Sequence, residues 1–122
     1  VPKPSIIIAS LIPFLAAALL LSCGAPKNTV PDNIINPDTL TIVLTEMHLA
    51  EATLIHLQQK GDNASAQKKH LYDLIFEKYH VSKVKLDSSL NWYSTQNINL
   101  LDKIYAEVIT NLSRKQSEEK VK

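Results

Sequence analysis

The 122-residue chain holds a single cysteine and two glycines. One thiol cannot build an internal disulfide framework, and without a cysteine cluster there is no zinc finger. Two glycines cannot form a Gly-rich phosphate loop, which needs several close together. An excess of one charge is also missing. Of 13 Lys+Arg and 12 Asp+Glu, only Lys3 precedes Cys23, so 13 less one leaves 12 bases against 12 acids from Cys23 onward. A balanced chain lacks the basic field of a nucleic-acid binder and is not an acidic solvating tail. No segment alternates strictly enough for a strand, and no internal repeat is visible. The length allows one small domain.

Apolar residues are instead concentrated at the start. Ile6 to Leu21 reads IIIASLIPFLAAALLL, 16 residues without a charge, preceded by Lys3. A membrane-spanning helix needs about 20 apolar residues. A shorter run with Pro13 inside it suits the h-region of a signal peptide. The run ends in Leu20-Leu21-Ser22-Cys23-Gly24, which resembles a bacterial lipobox. The resemblance implies defined chemistry. The Cys23 thiol takes a diacylglyceryl group, and a lipoprotein signal peptidase cuts between Ser22 and Cys23. Small Ser22 suits a narrow protease subsite, and only a thiol gives the thioether. Two or more acyl chains anchor stably where one is marginal.

The expected organisation is therefore a signal peptide over 1–22, a lipidated Cys23 heading a tether over 23–37, a helical domain over 38–115 and a charged tail over 116–122. The tether reads GAPKNTVPDNIINP from Gly24, with three prolines and no apolar periodicity, and is expected to be extended and mobile. The expected partner is a membrane, reached through the lipid. No Asp follows Cys23, as in the usual inner-membrane retention signal. Nor is there an acidic run resembling the surface-export signal of Bacteroidota. By that resemblance the expected home is the cell envelope, on the periplasmic face of the outer membrane.

Four amphipathic stretches follow. Asp38, an N-cap type after Pro37, is expected to open a helix running to about Lys60. Its apolar face holds Leu40, Val43, Leu44, Met47, Ala50, Leu54 and Leu57, with Thr41, Thr45, His48, His56 and Gln59 opposite. Gly61-Asp62-Asn63 is a stop signal. A second helix is expected from about Ser65 to Tyr79, with Leu71, Leu74, Ile75 and Tyr79 on its stripe. His80-Val81-Ser82 breaks it, and Ser82 can cap a third helix over about Lys83 to Ser94. The last, Ile98 to Lys115, has Ile98, Leu101, Ile104, Tyr105, Val108, Ile109 and Leu112 on one side. The expectation is an all-α, four-helix domain with one core of modest stability.

Met47-His48-Leu49-Ala50-Glu51-Ala52 resembles a motif of a small lipoprotein family from Bacteroidota known only as domain of unknown function 4296. So do the stretch from Tyr72 to Ser82, Ser89-Leu90-Asn91-Trp92-Tyr93, and Ile104-Tyr105-Ala106-Glu107-Val108. The likeness covers about Pro31 to Leu112 and departs at Leu86, where an aromatic would be expected. It implies a small all-α envelope lipoprotein and supplies no activity.

The polar candidates are few. His48 and Glu51 are one turn apart and His56 lies two turns from His48. A metal-binding bundle needs paired Glu-x-x-His motifs and inward carboxylates. This sequence has a single Glu-x-x-His, Glu77 to His80, and no second one to pair with it, so no metal or other cofactor is expected, and the histidines read as solvated. Glu51 lies at the margin of the apolar stripe, where a carboxylate needs a partner. It is expected to be a polar anchor, at least half buried and bonded to a hydroxyl, amide or cation. Ser88 and Ser89 have no nucleophile-elbow glycines and read as surface or packing serines. Trp92 and Tyr93 read as core, and Tyr93 and Tyr105 need partners for their hydroxyls. Asp38-Thr39-Leu40 resembles an O-glycosylation pattern of Bacteroidota envelope proteins, which makes Thr39 a candidate acceptor. The functional expectation is a non-enzymatic binding or accessory lipoprotein whose helical groove takes an envelope protein, peptide or lipid. The alternative is a metal-binding or enzymatic domain centred on Glu51.

Overall fold

The computed structural model describes residues 29–60 and 63–121. The signal segment, Ser22, Cys23 and the Gly61-Asp62 turn lie outside them. Among the described residues there are four helices and no strand: α1 Pro37–Gln59, α2 Ala64–Lys78, α3 Lys83–Gln96 and α4 Ile98–Lys120. The domain is all-α.

Several helix ends have a chemical reason. Asn36, not Asp38, caps α1: its side-chain oxygen accepts the Thr39 N–H at 2.9 Å. Pro37 takes the first helical position, where its missing N–H is harmless and its fixed φ is already helical. Asp38 falls in the first turn, where its charge meets the positive end of the helix dipole. Ser82 accepts the Lys85 N–H at 3.1 Å to start α3. Asn97 ends α3 by donating to the Tyr93 carbonyl and starts α4 by accepting from Leu100. The last helix continues to Lys120, through residues expected to form a charged tail. The apolar stripe stops near Leu112, but Gln, Glu and Lys are good helix formers without it.

The end of α2 is more demanding. His80 N–H donates to Glu77 and Val81 N–H to Phe76, the paired bonds of a Schellman motif. The motif places His80 at φ 52°, the left-handed region that favours glycine. His80→Gly is expected to raise stability by about 0.5–1 kcal/mol, read from the urea midpoint. No gain would mean that the histidine side chain compensates the backbone strain.

The α1 and α2 helices run antiparallel. Glu46 meets Lys78 and Tyr79 near one end, and Glu51 meets Tyr72 and Lys68 further along. The α4 helix lies on the other side of α1 and runs the same way: residues 48–52 share a cleft with 109–116, and 53–56 with 115–119. The short α3 crosses the base, from the end of α2 to the start of α4. Leu40, Val43, Leu44, Ile75, Val81, Leu86, Tyr93, Leu101, Ile104 and Val108 form the buried core.

Two helix neighbours change the expected faces of α1. Thr41 and Thr45 were placed on the polar side but are 3% and 4% exposed. Their hydroxyls donate to the Pro37 and Thr41 carbonyls at 2.9 and 2.8 Å. With the hydroxyl satisfied locally, a threonine can be buried as a small apolar residue. By length and composition α1 could cross a membrane, with a mean hydropathy of 1.2 in its most apolar window. Helices packed on two of its flanks bury a third of that window.

The opposite correction applies to α4. Leu101, Ile104 and Val108 are buried, while Ile98, Tyr105 and Ile109 are exposed. Tyr105 was expected on the apolar side of this helix, with a partner for its hydroxyl. The α4 helix packs mainly against α1 and α3, which cover only part of its stripe.

The segment before α1 differs most. Residues 30–36 were expected to belong to a mobile tether, yet Ile34 and Ile35 are 7% and 4% exposed. Ile35 N–H donates to Ser89 Oγ at 2.9 Å, and Tyr93 Oη donates to the Ile35 carbonyl at 2.8 Å. This strap fills the base between α1 and α3. Two isoleucines contribute about 1.5–3 kcal/mol each when buried, enough to hold a short segment that has no periodicity.

Candidate functional site

Two carboxylates of α1 reach across to α2, each through a tyrosine. Glu51 accepts a short hydrogen bond from the Tyr72 hydroxyl. Lys68 Nζ stands 3.7 Å and His48 Nδ1 3.5 Å from the same carboxylate. The Glu51 side chain is 42% exposed, so its carboxylate sits at the rim of the helix pair. The Tyr72 bond, opposed in part by burial, holds its carboxyl below the ordinary value of 4.5, with Lys68 and His48 adding to the effect. Burial and the adjacent carboxylate push the Tyr72 hydroxyl up to about 12, so it stays protonated and donates.

The second link was not foreseen. Glu46 accepts from Tyr79 Oη at 2.8 Å and from Lys78 Nζ at 2.9 Å. Burial works against its charge, but the Lys78 and Tyr79 hydrogen bonds outweigh it and the pKa is lowered. Nothing in the spacing of α1 marks Glu46. Its partners stand 32 and 33 residues away, and only the hairpin brings them together.

Both links titrate in the same direction. A carboxylate with a depressed folded pKa adds stability above its unfolded value, and that stability is lost as pH falls through the folded value. Stability is therefore expected to fall as pH drops below about 4.5. Glu51→Gln and Glu46→Gln should flatten the slope. Because Glu51 is part-exposed, its removal should cost about 0.5–1.5 kcal/mol rather than the larger penalty of full burial. Urea titration at a series of pH values measures both. An unchanged acid slope in the double variant would show that these carboxylates do not link folding to pH.

The remaining candidates separate. His48 and His56 are exposed along the cleft between α1 and α4. Among the described residues, no group of three His, Cys, Asp or Glu could hold a metal ion. Ser88 is exposed, whereas Ser89 is fully buried and bonded to the strap. A signal for Ser89 was available, since it shares a face with Leu86 and Tyr93 at helical spacing. Trp92 packs edge-on to Tyr93 at 5.0 Å between centroids. Thr39 is half-buried in the first turn of α1, between the capping Asn36 and fully buried Leu40.

A cleft opens where the C-terminal halves of α1 and α4 part. One end, about 590 Å³, is lined by Leu49, Ala52, Thr53, His56, Lys115 and Glu119. The other, about 410 Å³, adds His48, Ile109 and Leu112. Its floor is aliphatic and its rim carries both signs of charge. Such a surface can bind an apolar or amphipathic group. The Thr53 hydroxyl in its lining donates to the Leu49 carbonyl at 3.0 Å.

A family model described as Domain of unknown function (DUF4296) matches residues 31–118. The chain belongs to that family. The DUF4296 match begins at Pro31, before α1, so it takes in the strap as well as all four helices. It extends to Glu118, past the Lys115 boundary expected for the domain. No curated protein and no solved structure matches the chain.

Proposed function

We propose that this DUF4296 protein is a lipid-anchored component of the bacterial cell envelope that works by binding rather than by catalysis. The observation that carries the location is the run Leu20-Leu21-Ser22-Cys23 directly after a 16-residue uncharged segment, with the chain's single cysteine where a lipobox needs it. The absence of an Asp after Cys23 supports the periplasmic face of the outer membrane. The binding role is supported by the cleft between α1 and α4, with its aliphatic floor and mixed rim. Its natural occupant is an envelope protein or peptide with an apolar side. The resemblance to Bacteroidota lipoproteins supports the same reading.

Metabolic labelling with an alkyne fatty acid tests the anchor. The natural chain is expected to be labelled and Cys23→Ala to lose the label entirely. Equal labelling of both would overturn the reading.

A further inference from the structure

The docked strap limits what the anchor allows. We infer that, by holding residues 30–36 against the base of the domain, the strap keeps the far end of the α1–α4 cleft from meeting the anchoring bilayer end-on. This inference rests on the proposed lipidation of Cys23.

Chain lengths set this limit. Seven peptide steps separate Cys23 from Val30, the first strap residue packed against the core. Fully extended, they reach about 25 Å. Val30 lies at the base, lining a hollow with Asn36, Thr39, His80 and Lys85. The cleft opens at the opposite end, beside His56 and Glu119. The 23 residues of α1 separate base from far end, about 34 Å at helical rise. An inverted domain, far end on the bilayer, would lift Val30 beyond the reach of its own anchor. If the strap were free, 13 steps would separate Cys23 from Asn36, about 45 Å, and inversion would be allowed. The Ser89 and Tyr93 hydrogen bonds to Ile35 therefore decide which end the membrane can touch. A lipid of the anchoring leaflet therefore cannot enter the cleft's far end end-on.

The test uses full-length lipidated protein in vesicles carrying nitroxide headgroup lipids. Acylated Cys23 does not react with maleimide dyes, so a single new cysteine at exposed Val84 or Glu119 takes the fluorophore. The Val84→Cys label, beside the base, is expected to lose most of its emission to the quencher, and the Glu119→Cys label to keep it. Inserting about ten Gly-Ser residues between Asn28 and Thr29 lengthens the reach without altering the domain, and quenching at position 119 should then rise. Equal quenching at the two positions in protein shown by mass spectrometry to be acylated would overturn this inference alone. So would an insertion that changes nothing. An unacylated Cys23 would overturn the anchoring reading together with the inference.

Discussion

Tyr93→Ala is expected to lower the unfolding free energy by about 3–5 kcal/mol, the range for emptying a large aromatic site in a packed core. Tyr93 is fully buried. Its ring packs against Trp92, and its hydroxyl closes the strap onto α3. Tyr93→Phe keeps the ring and removes only the donor. The Ile35 carbonyl then stays buried without that partner, a cost of about 1–3 kcal/mol. Urea titration of the piece after Cys23 measures both variants. The gap between them separates packing from hydrogen bonding. A phenylalanine variant as stable as the natural chain would show that water reaches the Ile35 carbonyl and that the strap is held without the Tyr93 bond.

Ile35→Asp should release the strap. The natural side chain is 4% exposed in the core cluster, and a carboxylate there would be desolvated. The cheapest escape is detachment of the segment, which forfeits two isoleucine burials and two hydrogen bonds. The expected loss is about 3 kcal/mol or more. Hydrogen exchange separates release from global unfolding: the Ile35 amide, bonded to Ser89, should lose protection while amides of mid-α1 keep theirs. Asn33→Asp, at an exposed position of the same segment, is expected to change stability by less than about 0.5 kcal/mol. Retained protection at Ile35 in the Ile35→Asp variant would refute the strap as a separately detachable unit.

The four helices were legible because their information is local. An amphipathic helix repeats its apolar residues every three or four positions, so Leu40, Val43 and Leu44 could be read as core without a neighbour in view, and they are 0%, 0% and 6% exposed. Ser82 could be read as a cap for the same reason, since its partner Lys85 lies three residues on. The break at His80 was also legible, although not its left-handed backbone, which depends on the Phe76 and Glu77 carbonyls.

What could not be read was set by which surfaces meet. Thr41 and Thr45 became core because α1 is flanked by two helices, and a single-helix pattern allows for one covered side. Tyr105 and Ile109 stayed exposed because no helix covers that flank of α4. The strap carries two adjacent isoleucines without a period. Its burial depends on Ser89 and Tyr93, 54 and 58 residues away, and a pattern with no repeat cannot announce such partners. Glu46 and Glu51 likewise acquired tyrosine donors only through the α1–α2 hairpin. By itself, the sequence determined the all-α class and the helix order, because local backbone preference and hydrophobic period suffice for those. Helix neighbours, the docked strap and the position of the cleft were decided in three dimensions, where contacts between residues far apart in the chain outweigh what each segment prefers alone.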